Sequence, residues 1–335
     1  MTARPEPVPT GGKARTPALE PAGGPGPAVA AADWGGTWIR VAIATADGRL
    51  LTQVRQRRPE GLAGQCALVA DEVAALAAGL GVQPAALGAG IAGITRGGVV
   101  ESAVNIGITQ PINLAHRLRD VLSMPVTVVN DTQAAAVAEA AELGEGTTVL
   151  LMVGTGIGGA IVTGRRLMPG SGAAGDFGHM VVAINGPECR CGHRGCLEQL
   201  ASGRVLDRAA RRLAADGISP WLAARAETQG DVHAGDLDAA ARAGDETAHA
   251  TLSEAASALV AGFQSITAAV DPEGIVLGGG LLGPEALLTQ LVSERWRDQR
   301  PRWSPATLRP ALLGADAGLR GAALLAAQLA DPHRD

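Results

Sequence analysis

One short stretch of the chain gathers an imidazole and three thiols: His179, Cys189, Cys191 and Cys196. Three Cys and one His are a standard tetrahedral set for zinc, because thiolates favour that ion among the abundant metals. Gly186, Gly192 and Gly195 let the intervening chain wrap a single ion. His193 lies in the same loop, and spacing alone leaves it open as the fourth ligand in place of His179. A closed four-ligand site stabilises structure and leaves the chemistry to other groups. Those groups stand on either side: Asp176 and His179 before the knuckle, Glu198 after it. An ion that draws the two arms together brings Asp176 near Glu198, and two carboxylates accepting from hydroxyls suit a polyol.

Two further segments carry glycines and a hydroxyl: Asp33-Trp34-Gly35-Gly36-Thr37 and Gly154-Thr155-Gly156-Ile157-Gly158-Gly159. Without a Cβ, backbone N–H groups can close on an anion. Thr37 and Thr155 add hydroxyl donors, and Asp33 suits Mg²⁺ held through water beside a phosphate. Either turn taken alone reads equally as ordinary hairpin glycines. No GxxxxGK[ST] occurs, and the second turn leads into a strand, so neither a P-loop nor a Rossmann fingerprint fits. Gly278-Gly279-Gly280 follows an apolar strand and is bare enough to lie against a base and ribose. Asp131 ends a strand, where an α/β sheet presents side chains to ligands. It can accept a proton from a hydroxyl attacking a γ-phosphate, a reaction that needs position more than basicity. From Asn130-Asp131 alone, a helix N-cap is the simpler reading.

The elements that must position these groups follow from periodicity. Residues 28–51 read as strand, turn, strand, and residues 147–167 repeat that pattern about 115 positions later. This is an internal repeat of motif, with two unrelated hairpins as the alternative. Helical spacing marks 65–80, 113–122, 134–143 and 320–329, and residues 200–270 look helical throughout. Short β-rich runs lie at 87–94, 126–129 and 274–277. Alternating strands and helices predict α/β layers.

The 335 residues are enough for two domains, and 47% hydrophobic side chains are ample for their cores. A charge of −5, no Tyr, two Phe and five Trp argue against nucleic acid as a partner. No run of 18 apolar residues predicts a membrane span. Residues 1–28 hold seven Pro and five Gly without an apolar core, so they read as a disordered tail and not a signal peptide. Three clustered thiols without an export signal favour metal over disulfides and a cytoplasmic location.

Taken together, DWGGT at 33–37, ND at 130–131, GTGIGG at 154–159, GDFGH at 175–179, CRCGHRGCLE at 189–198 and VLGGG at 276–280 resemble the ROK family (repressors, open reading frames and kinases), especially its bacterial glucokinases. The match in order and spacing spans roughly residues 29–330. The resemblance implies a two-lobed, actin-like ATPase fold of hexokinase and ribonuclease H type, with an interlobe cleft. It divides the chain into an N-terminal lobe at 29–143, a larger C-terminal lobe at 144–305 and a returning helix at 306–335. It implies ATP and Mg²⁺, with Asp33, Gly35, Gly36 and Thr37 as the first phosphate element. Gly154, Thr155 and Gly156 would form the second, and Gly278, Gly279 and Gly280 would lie at adenosine. Asp131 becomes the general base, with Asn105, Asn130, Asp176, His179 and Glu198 on the sugar. His179 would serve both the Zn²⁺ and the sugar. Homodimers or homotetramers are common in the family.

Three departures bear on substrate. The family usually has Glu where Asp176 stands, Pro-Gly near Ala92-Gly93, and Ala where Thr132 follows the base. A shorter acid leaves room, so an amino or N-acetylamino hexose (glucosamine, kanosamine, N-acetylglucosamine, N-acetylmannosamine) competes with glucose. A sugar-sensing repressor of the family would carry an N-terminal helix-turn-helix, which residues 1–28 do not resemble. A catalytically idle sugar-binding protein is disfavoured, because Asp33, Asp131 and both phosphate turns are present.

Overall fold

The computed structural model describes residues 27–331, so positions 1–26 of the expected tail lie outside the described residues. Two compact units emerge: one runs to Ala135 and resumes at Gly318, the other is Ala136–Ala317.

The first unit begins with β1 (Val29–Trp34), β2 (Trp38–Ala44) and β3 (Leu50–Arg57), an antiparallel meander. Helix α1 (Leu62–Leu80) and β4 (Leu87–Ile91) follow. By length and composition α1 could cross a membrane, yet its Cys66, Val69, Val73 and Leu76 are buried in this unit's core. The apolar run expected to reach residue 94 stops as a strand at Ile91, where Gly93 N–H turns back to the Ile91 carbonyl. A small sheet of β5 (Ile94–Arg96), β6 (Val99–Ser102) and β7 (Ile112–Asn113) comes next. Then α2 (Leu114–Leu122) leads to β8 (Val126–Asn130). Both β4 and β8 run parallel to β1, so the main sheet reads β3-β2-β1-β4-β8.

Helix α3 (Asp131–Ala141) precedes the second unit's sheet. That sheet comprises β9 (Thr147–Val153), β10 (Ile157–Thr163), β11 (Arg166–Leu167), β12 (Gly274–Gly278) and β13 (Thr307–Pro310). Its order, β11-β10-β9-β12-β13, repeats that of the first sheet: an antiparallel meander, then two parallel strands. The echo between the two hairpins thus extends to whole sheets. Residues 200–270 form several helices instead of one continuous stretch: α4 (Glu198–Ala201), α5 (Gly203–Ala215), α6 (Pro220–Gln229), α7 (Ala234–Arg242) and α8 (Glu246–Val270). The breaks have local causes. Ser219 and Asp245 cap α6 and α8 by accepting the N–H groups of Leu222 and Ala248. Helix α9 (Leu287–Gln299), not expected from the sequence, packs Leu288, Val292 and Trp296 into the same core.

Helix α10 (Ala317–Ala330) explains why one face of the first sheet is built almost wholly from alanine. On β1 and β2, Ala30, Ala32, Trp34, Ile39, Val41 and Ile43 face α1, whereas Val29, Ala31, Ala42 and Ala44 meet Leu319, Ala322, Ala323 and Ala326 of α10. Small side chains let the helix backbone lie directly on the sheet. At the closest point a Cβ on Gly88 would overlap the Ala322 carbonyl. Gly88→Ala is therefore expected to cost about 3 kcal/mol or more, because backbone and not a flexible side chain must move. Chemical denaturation compared with a surface Gly→Ala control checks this.

Candidate active site

In the first unit, the β1–β2 turn holds Gly35, Gly36 and Thr37. Gly35 N–H closes onto Trp38 O at 3.0 Å, and Arg58 N–H onto Thr37 O at 2.9 Å. The Arg58 side chain donates from Nε to Gly36 O at 2.7 Å. Two indoles bracket this turn. Trp34 is fully buried and donates to Gln65 Oε1 at 2.8 Å, whereas Trp38 is 41% exposed with the Arg55 guanidinium 4.3 Å from its ring centre. Strand register sets Asp33 opposite Arg40. Arg40 donates from Nη2 and Nε to Asp33 Oδ2, at 2.6 and 3.0 Å. Neither Arg40 nor Arg58 was singled out from the sequence. Arg40 could have been found by counting across the hairpin, since opposite charges face each other there.

At the β8–α3 junction the two candidate residues divide their work. Asn130 is the cap: its Oδ1 accepts from the N–H groups of Thr132 and Gln133 at 2.8 and 3.4 Å. Its Nδ2 donates to Gly93 O at 2.9 Å, so backbone contacts engage both ends of the amide. Asp131 is the first helical residue, with Oδ1 accepting from Thr132 N–H at 2.8 Å. Burial pushes the Asp131 carboxyl above the ordinary carboxylate range; the Thr132 N–H opposes this and the nearby Asp33 charge adds to it. Asn105 sits in a short 3-10 turn, Val104–Ile106, and its expected sugar contact lies outside the described side chains.

In the second unit, Gly154, Thr155 and Gly156 connect β9 to β10, and Gly154 N–H closes onto Gly156 O at 2.9 Å. The first residues of α5 reach the same turn: Gly203 N–H donates to Gly154 O at 2.8 Å and Arg204 N–H to Thr155 O at 3.1 Å. Gly278 is buried within β12, whereas Gly279 and Gly280 emerge from it. Gly279 has φ +94, and a Cβ there would overlap the Val153 backbone, so no other residue fits without displacing β9.

The knuckle places four donor atoms, from His179, Cys189, Cys191 and Cys196, all within 4.8 Å of one another. His179 Nδ1 lies 3.6 Å from Cys189 Sγ, and the sulfurs of Cys191 and Cys196 are 3.6 Å apart. A tetrahedral ion with Zn–S bonds of about 2.3 Å has edges of about 3.8 Å, so the donor set fits. His193 lies 3.5 Å from Cys191 Sγ, but it is His179 that groups with all three thiols. The backbone N–H of Cys191 draws Cys189 down to about 7, while burial holds Cys196 up at about 12. Three adjacent thiolates need a cation to coexist, and a zinc ion held by this ligand set would supply it. The other ring nitrogen of His179, Nε2, points back to Asp176 Oδ2 at 3.9 Å. Burial raises the Asp176 carboxyl; His179 opposes this and the Glu198 charge adds to it. Asp176, His179 and Glu198 therefore form one cluster.

Two units that repeat one strand order, each with a glycine turn between its first two strands, define the actin-like, two-lobed ATPase fold. The chain belongs to the ROK family, whose profile matches residues 29–329. An N-acetylmannosamine kinase of Shigella boydii is 34% identical over 303 residues, 88% of this chain and 97% of that protein. The ROK hexokinase of Thermus thermophilus superposes with TM-score 0.78 at 35% identity, covering 89% of this chain and 97% of that one. A ROK glucokinase of Streptomyces griseus, solved with glucose and AMPPNP, gives TM-score 0.71 at 31% identity, over 90% and 99% of the two chains.

Proposed function

We propose that the protein transfers the γ-phosphate of ATP to the 6-hydroxyl of a hexose, glucose in the first instance, with Asp131 as general base. The chain is an ATP-dependent sugar kinase, as its named relatives are. The observation that carries the assignment of the base is the division of labour at the β8–α3 junction. Because Asn130 shares the capping at α3, Thr132 engages only Oδ1 of Asp131, and burial makes this carboxylate a better proton acceptor than an exposed Asp.

In this reading Asp131 takes the hydroxyl proton as the sugar oxygen bonds to the γ-phosphorus and the bond to ADP breaks. The transition state is loose, so most of the catalysis is positioning and charge neutralisation. Asp33 would hold the Mg²⁺ of the nucleotide, which would supply neutralisation of phosphate charge. Arg40 occupies Oδ2 of Asp33, which leaves Oδ1 for the ion or its water. Gly35, Gly36 and Thr37, and Gly154, Thr155 and Gly156, receive phosphates, and Gly279 and Gly280 lie at the adenosine. Asp176, His179 and Glu198 hold sugar hydroxyls, and the Cys₃His set holds a structural zinc.

A second reading rests on Asp176. An Asp here leaves space that a longer acid would fill, and Asp176 is also less readily ionised than an exposed Asp. That space admits an amino or N-acetylamino substituent, and a curated relative is named for N-acetylmannosamine. ATP-coupled turnover over glucose, mannose, glucosamine, kanosamine, N-acetylglucosamine and N-acetylmannosamine decides between the two. Glucose is expected to give the highest kcat/KM. An amino or N-acetylamino sugar ahead by tenfold, about 1.4 kcal/mol of transition-state preference, establishes the second reading. No turnover with any sugar overturns both.

A further inference from the structure

Ile157 ends the Gly154–Gly156 turn and opens β10, and the knuckle grips both of its backbone groups. Glu198, two residues beyond Cys196, accepts the Ile157 N–H with Oε2 at 3.0 Å. On the other side Gly178, next to His179, lies so close that a Cβ there would overlap the Ile157 carbonyl oxygen. The turn's own carbonyls are engaged by Gly203 and Arg204 of α5, which removes acceptors that would repel a phosphate. Gly156 is packed as tightly: a Cβ on it would stand 2.5 Å from Glu198 Oε2.

We infer that Glu198 is a positioning residue for the nucleotide: its carboxylate fixes the phosphate-binding turn, in addition to the sugar contact proposed for it. The inference rests on the reading of Gly154–Gly156 as a phosphate turn. One carboxylate oxygen, Oε2, is committed to Ile157, and Oε1 serves the sugar. A single side chain thus sets the geometry of two substrates, and what it contributes to the nucleotide depends on reach and acceptor chemistry, not on charge.

The test is the affinity of a non-hydrolysable ATP analogue with Mg²⁺, measured by calorimetry without sugar, so that the sugar contact plays no part. Glu198→Ala is expected to weaken the analogue about tenfold, the scale of leaving the buried Ile157 N–H without its acceptor. Glu198→Asp keeps the charge but cannot reach Ile157, so it is expected to weaken the analogue as well. Glu198→Gln offers an amide oxygen to the same N–H and is expected to bind the analogue within about twofold of wild type. In separate titrations with glucose, Glu198→Gln is expected to bind sugar more weakly. Gly156→Ala is expected to cost less analogue affinity in the Glu198→Ala background than alone, because the clash with Oε2 is gone. Wild-type analogue affinity in Glu198→Ala overturns the inference, as does loss in Glu198→Gln with retention in Glu198→Asp. If Glu198→Ala does not fold, the Asp and Gln pair decides. A wild-type protein that binds no nucleotide overturns the phosphate-turn reading itself, and this inference with it.

Discussion

Asp131→Asn is expected to lower kcat by about 10²–10⁴-fold, the range that a positioned general base contributes. Calorimetry is expected to find sugar and nucleotide still bound, because asparagine keeps the shape and the capping residue is Asn130. The same variant is expected to melt a few degrees higher at neutral pH. Burial and the Asp33 charge hold the Asp131 carboxyl above its ordinary 3.8, so the folded protein binds this proton more tightly than the unfolded chain does. For such a group the stabilising contribution is full below the unfolded value and is lost as pH rises through the folded one. The gain from asparagine should therefore shrink as the buffer is taken down from the raised folded value towards 3.8, and be gone below it. Wild-type kcat/KM should show an acid limb above the ordinary carboxylate range. A variant that keeps most of its turnover removes Asp131 as the base; one that is slow without any thermal gain contradicts the burial argument.

Loss of the knuckle metal is expected to be nearly as severe. Elemental analysis should find one zinc per chain. Cys196 has no exposed surface, and Cys196→Ser replaces a soft ligand with a hydroxyl that competes poorly for the ion. Structural zinc sites contribute on the order of 10 kcal/mol in small peptides, so melting should fall by about 10 °C or more even if only part of that applies here. Glucose affinity should fall at least tenfold, about 1.4 kcal/mol, because His179 belongs to the metal set and Glu198 follows Cys196 by two residues. Cys66→Ser is the control, a buried thiol in the other unit's core. It should lower stability without releasing metal. Protein without stoichiometric metal, melting normally as Cys196→Ser, would falsify the zinc assignment.

How much of this was legible depended on distance along the chain. The hairpin DWGGT and the knuckle are local: turn chemistry and ligand spacing fix them within a few residues. Asn130 as cap was legible as a type but not as a choice, because Asn and Asp are both good caps and the register that decides between them is set by β8. The run at 87–94 hid its end at Ile91, since apolar pattern does not reveal that Gly93 must turn to meet Asn130. Long-range contacts were out of reach. The buried Glu139 carboxylate accepts the N–H groups of Leu312 and Leu313, both at 2.9 Å, and no pattern near residue 139 or 312 announces it. The bond from Glu198 to Ile157 is of the same kind, two segments 41 residues apart joined by a carboxylate. Strands β5, β7 and β13 are too short for alternation to show.

The two indoles beside Gly35, Gly36 and Thr37 give the unmodified protein an optical reporter. The chain has no tyrosine, so its near-ultraviolet emission comes from five tryptophans, and two of them flank this one turn. Trp34 is sealed against Gln65 and should emit toward the blue whatever binds. Trp38 is half in solvent under the Arg55 guanidinium, where a nearby change in charge alters its quenching. On the proposed reading of this turn as a phosphate site, the arrival of a polyphosphate is expected to change the emission, to be timed by stopped-flow without any label, with Trp38→Phe as the blank.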